Sequence, residues 1–224
     1  MAQLLSREGA YDTVEVIVQD GGTPNIASIT NSYAFVKLES SPDDGIYDAM
    51  NRAILRSSGD ALWFLNGGDL AATYDLSKIL ALIQENPGAM IFGDYELNTG
   101  RALVLRKARP QTYIRHGLPT SHQAIIYPAE IARTTLYDLR YKITGDYAFT
   151  ASLIVSGTQS VRPGIVLAIF AAGGTSQQHS RLIAREASIV QRDILQVGPI
   201  ERSVSATRHF ASRSLRSLQT RIRS

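Results

Sequence analysis

The sequence predicts an α/β fold: a mostly parallel central sheet with helices on both faces, followed by a helical tail. Three observations predict it. Runs of β-branched and aromatic residues alternate with segments of helical period through the first 95 residues, the pattern of strand–helix–strand units. Two strands run straight into polar, glycine-bearing clusters, Asp20-Gly21-Gly22 and Asn66-Gly67-Gly68-Asp69, and in such sheets ligands bind beyond the carboxyl ends of the strands. The 224 residues, 44% hydrophobic and 19% charged, suffice for one domain with a sizeable core.

In order, Val14 to Gln19 reads as a buried strand and Ala34 to Leu38 as the next. From Gly45 to Ser57, apolar residues at Ile46, Ala49, Met50, Ala53 and Ile54 have helical spacing. Ala61 to Leu65 is a short strand, and Asp75 caps a helix running to Gln84 before Asn86-Pro87-Gly88. Ala89 to Phe92 is a strand, and Tyr95 to Lys107 a hairpin turning at Asn98-Thr99-Gly100. Gln123 to Tyr127 is a strand, Asp146 to Val155 a helix, Gly164 to Phe170 a strand and Ser180 to Leu195 a helix. Gly198-Pro199 divides a domain of residues 1–197 from a tail of residues 198–224.

Composition narrows the function. The absence of cysteine excludes a disulfide framework, a thiolate metal site and a cysteine nucleophile, and fits a reducing compartment. No apolar run approaches the roughly 18 residues of a membrane span, and the N-terminus is short and polar for a signal peptide; a cytoplasmic location is expected. Residues 201–224 carry six arginines against one glutamate, whereas the other 200 residues have a net charge of −2. Basic character confined to a tail argues against nucleic acid as a partner. Within residues 203–222, Val204, Ala211, Leu215, Leu218 and Ile222 share one helical face, interrupted by Thr207. That pattern reads as a basic amphipathic helix on an anionic membrane, peripheral to the inner face, or as a solvated tail.

The chemistry-bearing residues are acidic and sit at strand or helix ends. Asp69 can hold Mg²⁺ or Mn²⁺ against a diphosphate, because hard cations take oxygen ligands and keep positions for phosphate and water; Asn66 to Asp69 also reads as a plain turn. Asp20 can bind a base or ribose, or open an Asx-turn. Asp43 and Asp146 can each be helix caps, and His122, backed by an apolar strand, can be structural.

Together these segments resemble family-two glycosyltransferases. The resemblance rests on Val14 to Thr23 (Val-Glu-Val-Ile-Val-Gln-Asp-Gly-Gly-Thr), Ser41 to Arg52 (Ser-Pro-Asp-Asp-Gly-Ile-Tyr-Asp-Ala-Met-Asn-Arg) and Ser58 to Asp69 (Ser-Gly-Asp-Ala-Leu-Trp-Phe-Leu-Asn-Gly-Gly-Asp). His122-Gln123, Tyr141 to Asp146 and Gly173 to Ser176 add to it, and residues 10–195 are covered, with colanic-acid and O-antigen type transferases as the nearest pattern. The resemblance implies a GT-A fold, Rossmann-like, and an inverting transfer from a UDP- or GDP-sugar to a glycan or lipid-linked acceptor in cell-surface polysaccharide synthesis. It implies that Asp20 contacts the nucleobase, Asp43 the nucleoside, Asp69 a Mg²⁺ or Mn²⁺ ion, and that Asp146 is the base. Gly21, Gly45, Asn51, Arg52, Asn66 and His122 are expected to line the nucleotide-sugar pocket.

The chain departs from the family pattern in three places. Val14 opens the first strand, so the family's initial strand and most of its helix have no counterpart, which leaves an unpaired sheet edge and favours a homodimer. Asn25 stands where the family has aspartate, and Asp44 where it has lysine; Asp44 adds negative charge beside a diphosphate, which Arg52 is placed to offset. The competing expectation is a shortened, inactive relative acting as a binding or scaffold protein. An oxidoreductase is disfavoured, since no G-x-G-x-x-G follows a strand.

Overall fold

The computed structural model describes residues 13–26, 36–72, 76–171 and 179–205. Strand β1 (Val16–Asp20) pairs in parallel with β2 (Val36–Ser40), Val16 opposite Val36. Helix α1 (Ile46–Arg56) follows, then β3 (Ala61–Trp63), β4 (Leu70–Ala71) and α2 (Leu76–Glu85). β5 (Met90–Phe92) leads through Gly93 into β6 (Asp94–Asn98), which turns back antiparallel as β7 (Leu103–Arg106). Two short 3-10 helices, Gln111–Arg115 and His122–Ala124, precede β8 (Ile125–Pro128) and α3 (Ala129–Thr135). α4 (Gly145–Val155), β9 (Ser160–Val161), β10 (Val166–Ala171) and α5 (Ser180–Asp193) complete the order.

The α/β class expected from the sequence is present, with mixed rather than mostly parallel pairing. Among the described residues the strands form a β1-β2 ribbon and two four-stranded sheets ordered β4-β10-β6-β7 and β3-β8-β5-β9. The antiparallel members are β8, which returns between β3 and β5, β4 against β10, and the β6–β7 hairpin. Parallel pairing joins β1 to β2, β5 to β9 and β6 to β10, the last two across long connections that include α3 and α4; β8 arrives through loops and needs no crossover. Gly93 carries the chain from one sheet to the other, and a Cβ there would collide with the Leu167 side chain.

Burial follows the periodicities in part: Ile46, expected on the apolar stripe of α1, is exposed. On α1, Tyr47, Met50 and Ile54 are buried, one stripe of a 3.6-residue helix. On α4 nearly every side chain from Tyr147 to Leu153 is buried, so this helix is a core element. Tyr47, Met50 and Ile54 join Phe92, Tyr127, Tyr137 and Phe149 in the main cluster. β1 has no strand partner besides β2, nor β3 besides β8, among the described residues. A cavity of about 560 Å³ lies against both strands, walled by α1 through Met50 and Ile54 and by α2 through Ile79 and Ile83. Among the described residues no helix is long and apolar enough to cross a membrane.

Candidate functional site

Asp20 closes β1, and its Oδ2 accepts from the Gly22 amide (2.8 Å), the Thr23 amide (2.7 Å) and the Ser40 hydroxyl at the end of β2 (2.7 Å). The Ser40 hydroxyl leads these donors in holding the carboxyl near a pKa of about 2, so Asp20 is anionic throughout the physiological range. The parallel register brings the next loop alongside: a Cβ on Gly21 would stand 3.0 Å from Asp43 Oδ2. Asp43 Oδ1 in turn accepts the Gly45 amide at 3.0 Å. Gly45 has φ +113°, a conformation glycine adopts without penalty, and it turns the chain into α1. Arg52, one turn along α1, pairs with Asp48 at 2.7 Å and donates to the Ser41 hydroxyl and the Pro42 carbonyl. It braces the loop that carries Asp43 and Asp44.

The turn after β3 is self-bonded: Asn66 donates its amide to Asp69 Oδ2 (3.2 Å), and Asp69 donates its own to the Asn66 carbonyl (3.0 Å). Half-buried, Asp69 is raised above the usual carboxylate range by burial, opposed by the Gln123 side chain and the Asn66 amide. Those partners are neutral. Trp63 Nε1 donates to the Gln123 carbonyl at 2.8 Å, which fastens the 3-10 turn holding His122 and Gln123 against β3.

Beneath these loop ends lies an aromatic wall. Phe64 stacks on His122, with centroids 5.2 Å apart, and meets Tyr137 edge-on; Tyr137 stacks on Tyr47 (5.4 Å) and Phe149 (4.2 Å). His122 is 4% exposed, hydrogen-bonded through Nε2 to the Tyr137 hydroxyl (2.7 Å), and pushed down to a pKa of about 4 by burial. It is a neutral wall residue. Asn51 also serves Tyr137: its side chain accepts the Tyr137 amide at 2.7 Å and donates to the Tyr137 carbonyl at 2.9 Å.

Asp146 is the second residue of α4. Its Oδ1 accepts the Tyr147 amide at 2.8 Å, and burial raises its pKa to about 6, against the helix-terminal amides and the Tyr47 hydroxyl that lower it. Tyr47 reaches the same turn from α1, donating to the Ile143 carbonyl at 2.6 Å. α1 thus joins two parts of the site, with Asp43 and Gly45 just before its first turn and Tyr47 against the turn that carries Asp146. A half-buried carboxyl with a pKa of about 6 is suited to take a proton near neutrality.

The sequence reading did not single out Tyr47, Tyr137, Gln123 or Glu186, although Tyr47 and Gln123 lie inside the motifs that carried the resemblance. The Gly173–Ser176 loop, the Asp75 cap and the tail beyond residue 205 lie outside the described residues. The start of the tail, residues 199–205, is helical. It docks on the domain through Glu201 on Arg115 (2.6 Å) and the buried Ser205 on Gln191 (3.0 Å).

An uncharacterized glycosyltransferase of Mycobacterium tuberculosis is 28% identical over 202 residues, covering 84% of this chain and 73% of that protein. A PGL/p-HBAD biosynthesis glycosyltransferase of the same organism is 29% identical over 158 residues, covering 65% of this chain and 59% of its own length. The fold matches S. aureus TarS residues 1–349 in complex with UDP, with a TM-score of 0.67 and 14% sequence identity, over 94% of this chain and 66% of that one. The same TarS segment with UDP-GlcNAc matches with a TM-score of 0.66, over 86% of this chain and 62% of that one. The GT-A-like fold is thereby established, and this chain spans about two thirds of the TarS segment. The sequence model for glycosyl transferase family 2 matches residues 2–154, and the chain belongs to that family.

Proposed function

We propose that this chain transfers a sugar from a nucleoside-diphosphate sugar to a glycan or lipid-linked acceptor with inversion, and that Asp146 is the general base. The observation that carries the reading is the Asp146 carboxyl, raised to about 6 by burial at the N-terminus of α4 and joined by α1 to the loop ends of β1 and β2. In the reaction the acceptor oxygen attacks the anomeric carbon as the bond to the diphosphate breaks; the acceptor proton passes to Asp146, and the nucleoside diphosphate leaves with the bonding electrons. Asp20 and Asp43, fixed by backbone amides, are suited to accept hydrogen bonds from base and ribose. The names of the relatives support glycosyl transfer, and TarS with bound UDP supports a UDP-sugar among the donors.

Asp69 fits the single-carboxylate role at a Mg²⁺ or Mn²⁺ ion, because its partners are neutral and burial leaves its charge poorly compensated. Phosphate and water would complete the coordination. Bound there, the ion would stabilise charge developing on the departing diphosphate.

A scaffold function is the second reading. It is favoured by the cavity against β1 and β3, whose outer edges have no strand partner among the described residues, and where Gln19 Nε2, next to Asp20, is buried without a hydrogen-bond partner. Calorimetric titration with UDP and GDP, each with and without Mn²⁺, separates the two. UDP binding that strengthens at least about tenfold with Mn²⁺, a gain of about 1.4 kcal/mol, and loses that gain in Asp69→Ala is the expected result. No heat with either nucleotide would favour the scaffold.

A further inference from the structure

Glu186 on α5 is 5% exposed. A carboxylate so buried persists only where donors replace its lost water. Here the amides of Lys142 (2.8 Å), Ile143 (3.1 Å) and Thr144 (2.9 Å) and the Thr144 hydroxyl (3.1 Å) all converge on it. Burial raises its pKa, but these donors outweigh burial and hold it below the usual glutamate range. The segment it grips leads directly into Gly145 and Asp146. Thr144, the residue capping α4, makes no side-chain bond to its own helix and gives its hydroxyl to Glu186. From the opposite side, Tyr47 donates to the Ile143 carbonyl. Residues 142–144 are thus held between α1 and α5 by their own backbone groups.

We propose that Glu186 is a positioning residue for sugar transfer: by gripping the amides of residues 142–144 it sets where Asp146 stands against the acceptor hydroxyl. This rests on the reading of Asp146 as the base. The groups facing Asp146 are Tyr47 from α1, Tyr127 from β8, Tyr137 from the segment before α4, and Glu186 from α5. Burial pushes the three tyrosines far above neutrality, so they stay uncharged. Glu186 supplies the negative charge in this set, and it adds to the proton affinity of Asp146.

The test compares the native chain with Glu186→Gln, Glu186→Asp, Asp146→Asn and the Asp146→Asn/Glu186→Gln double variant. Urea unfolding from pH 4.5 to 8 gives the midpoint at which Asp146 titrates, as the pH-dependent stability difference between chains with and without its carboxyl. UDP release from UDP-GlcNAc with Mn²⁺ gives turnover, and calorimetry gives UDP affinity. Glu186→Gln is expected to cut turnover about 10- to 100-fold, to leave UDP affinity unchanged and to move the Asp146 midpoint to lower pH. Glu186→Asp keeps the charge on a shorter reach, and is expected to keep the midpoint and recover part of the turnover. If Glu186→Gln does not fold, Glu186→Asp decides: native turnover in it overturns the proposal. An unmoved midpoint in Glu186→Gln, or a turnover loss matched by an equal loss of UDP affinity, also overturns it. Native turnover in Asp146→Asn would instead remove the base reading itself. If the native chain does not turn over UDP-GlcNAc, the midpoints alone decide.

Discussion

Asp146→Asn is expected to abolish sugar transfer and, at neutral pH, to stabilise the fold. Loss of a positioned base costs about 10²- to 10⁴-fold in rate. The stability effect has the opposite sign. The folded carboxyl has a pKa of about 6 against an ordinary 3.8, so the folded chain binds this proton more tightly than the unfolded one. Acid therefore favours the fold, and the cost of the buried ionised form is absent below about pH 4 and complete above about pH 6. Two pKa units correspond to about 2.7 kcal/mol, which screening at this half-buried site reduces to about 1–2 kcal/mol. Asparagine can keep the bond from the Tyr147 amide without the charge. Urea unfolding at pH 7.5 and pH 4.5 checks the sign: the variant should be more stable than the native chain at the higher pH, with the gap narrowing at the lower. Lower stability at pH 7.5, or transfer within tenfold of native, would sink the assignment.

Gly145→Ala carries the second large effect. A Cβ there would lie 2.7 Å from Tyr47 Cδ2 and Cε2 and 2.9 Å from Cζ. The ring cannot yield freely, since it stacks on Tyr137 and its hydroxyl is bonded to Ile143. Overpacking of this kind costs about 1–3 kcal/mol, more than alanine's helix propensity of about 1 kcal/mol returns. If relief comes from a shift of the α4 terminus, Asp146 moves with it, and a displacement of about 1 Å costs about 100-fold in rate. The expected result is a lower urea midpoint together with slower transfer. Native values for both would show that the close approach of Tyr47 does not hold the turn.

The sequence exposed those parts of the molecule that local pattern controls. β1, β3 and β5 were legible as β-branched and aromatic runs, α1 by the helical spacing of Ile46, Ala49, Met50, Ala53 and Ile54, though Tyr47 rather than Ile46 is buried, and the β6–β7 hairpin by its Asn-Thr-Gly turn. β4 and β9 are two residues each, and they exist because β10 and β5 offer an edge to them. α3 has seven residues and buries only Ala129 and Ala132, too little to print a period. The direction of β8 is a long-range outcome invisible in its own residues. At the site, the aspartates stood out because they end strands or begin helices beside glycines. Glu186 did not, because a glutamate on an amphipathic helix reads as solvated surface; its partners are amides 42 to 44 residues earlier in the chain. The structure also places Asn51 and His122 in hydrogen bonds with Tyr137, contacts no motif encodes.

The central claim, a nucleotide-sugar transferase driven by the Asp146 carboxylate, is tested most directly by the pH dependence of nucleotide release. UDP- and GDP-sugars would be supplied in turn to the native chain with Mn²⁺ and a membrane extract as acceptor, from pH 5 to 8. The predicted result is release from at least one donor, rising through about pH 6 as Asp146 loses its proton, level above about pH 7 and absent in Asp146→Asn. Release that is flat across this range, or no turnover of any donor, would contradict it.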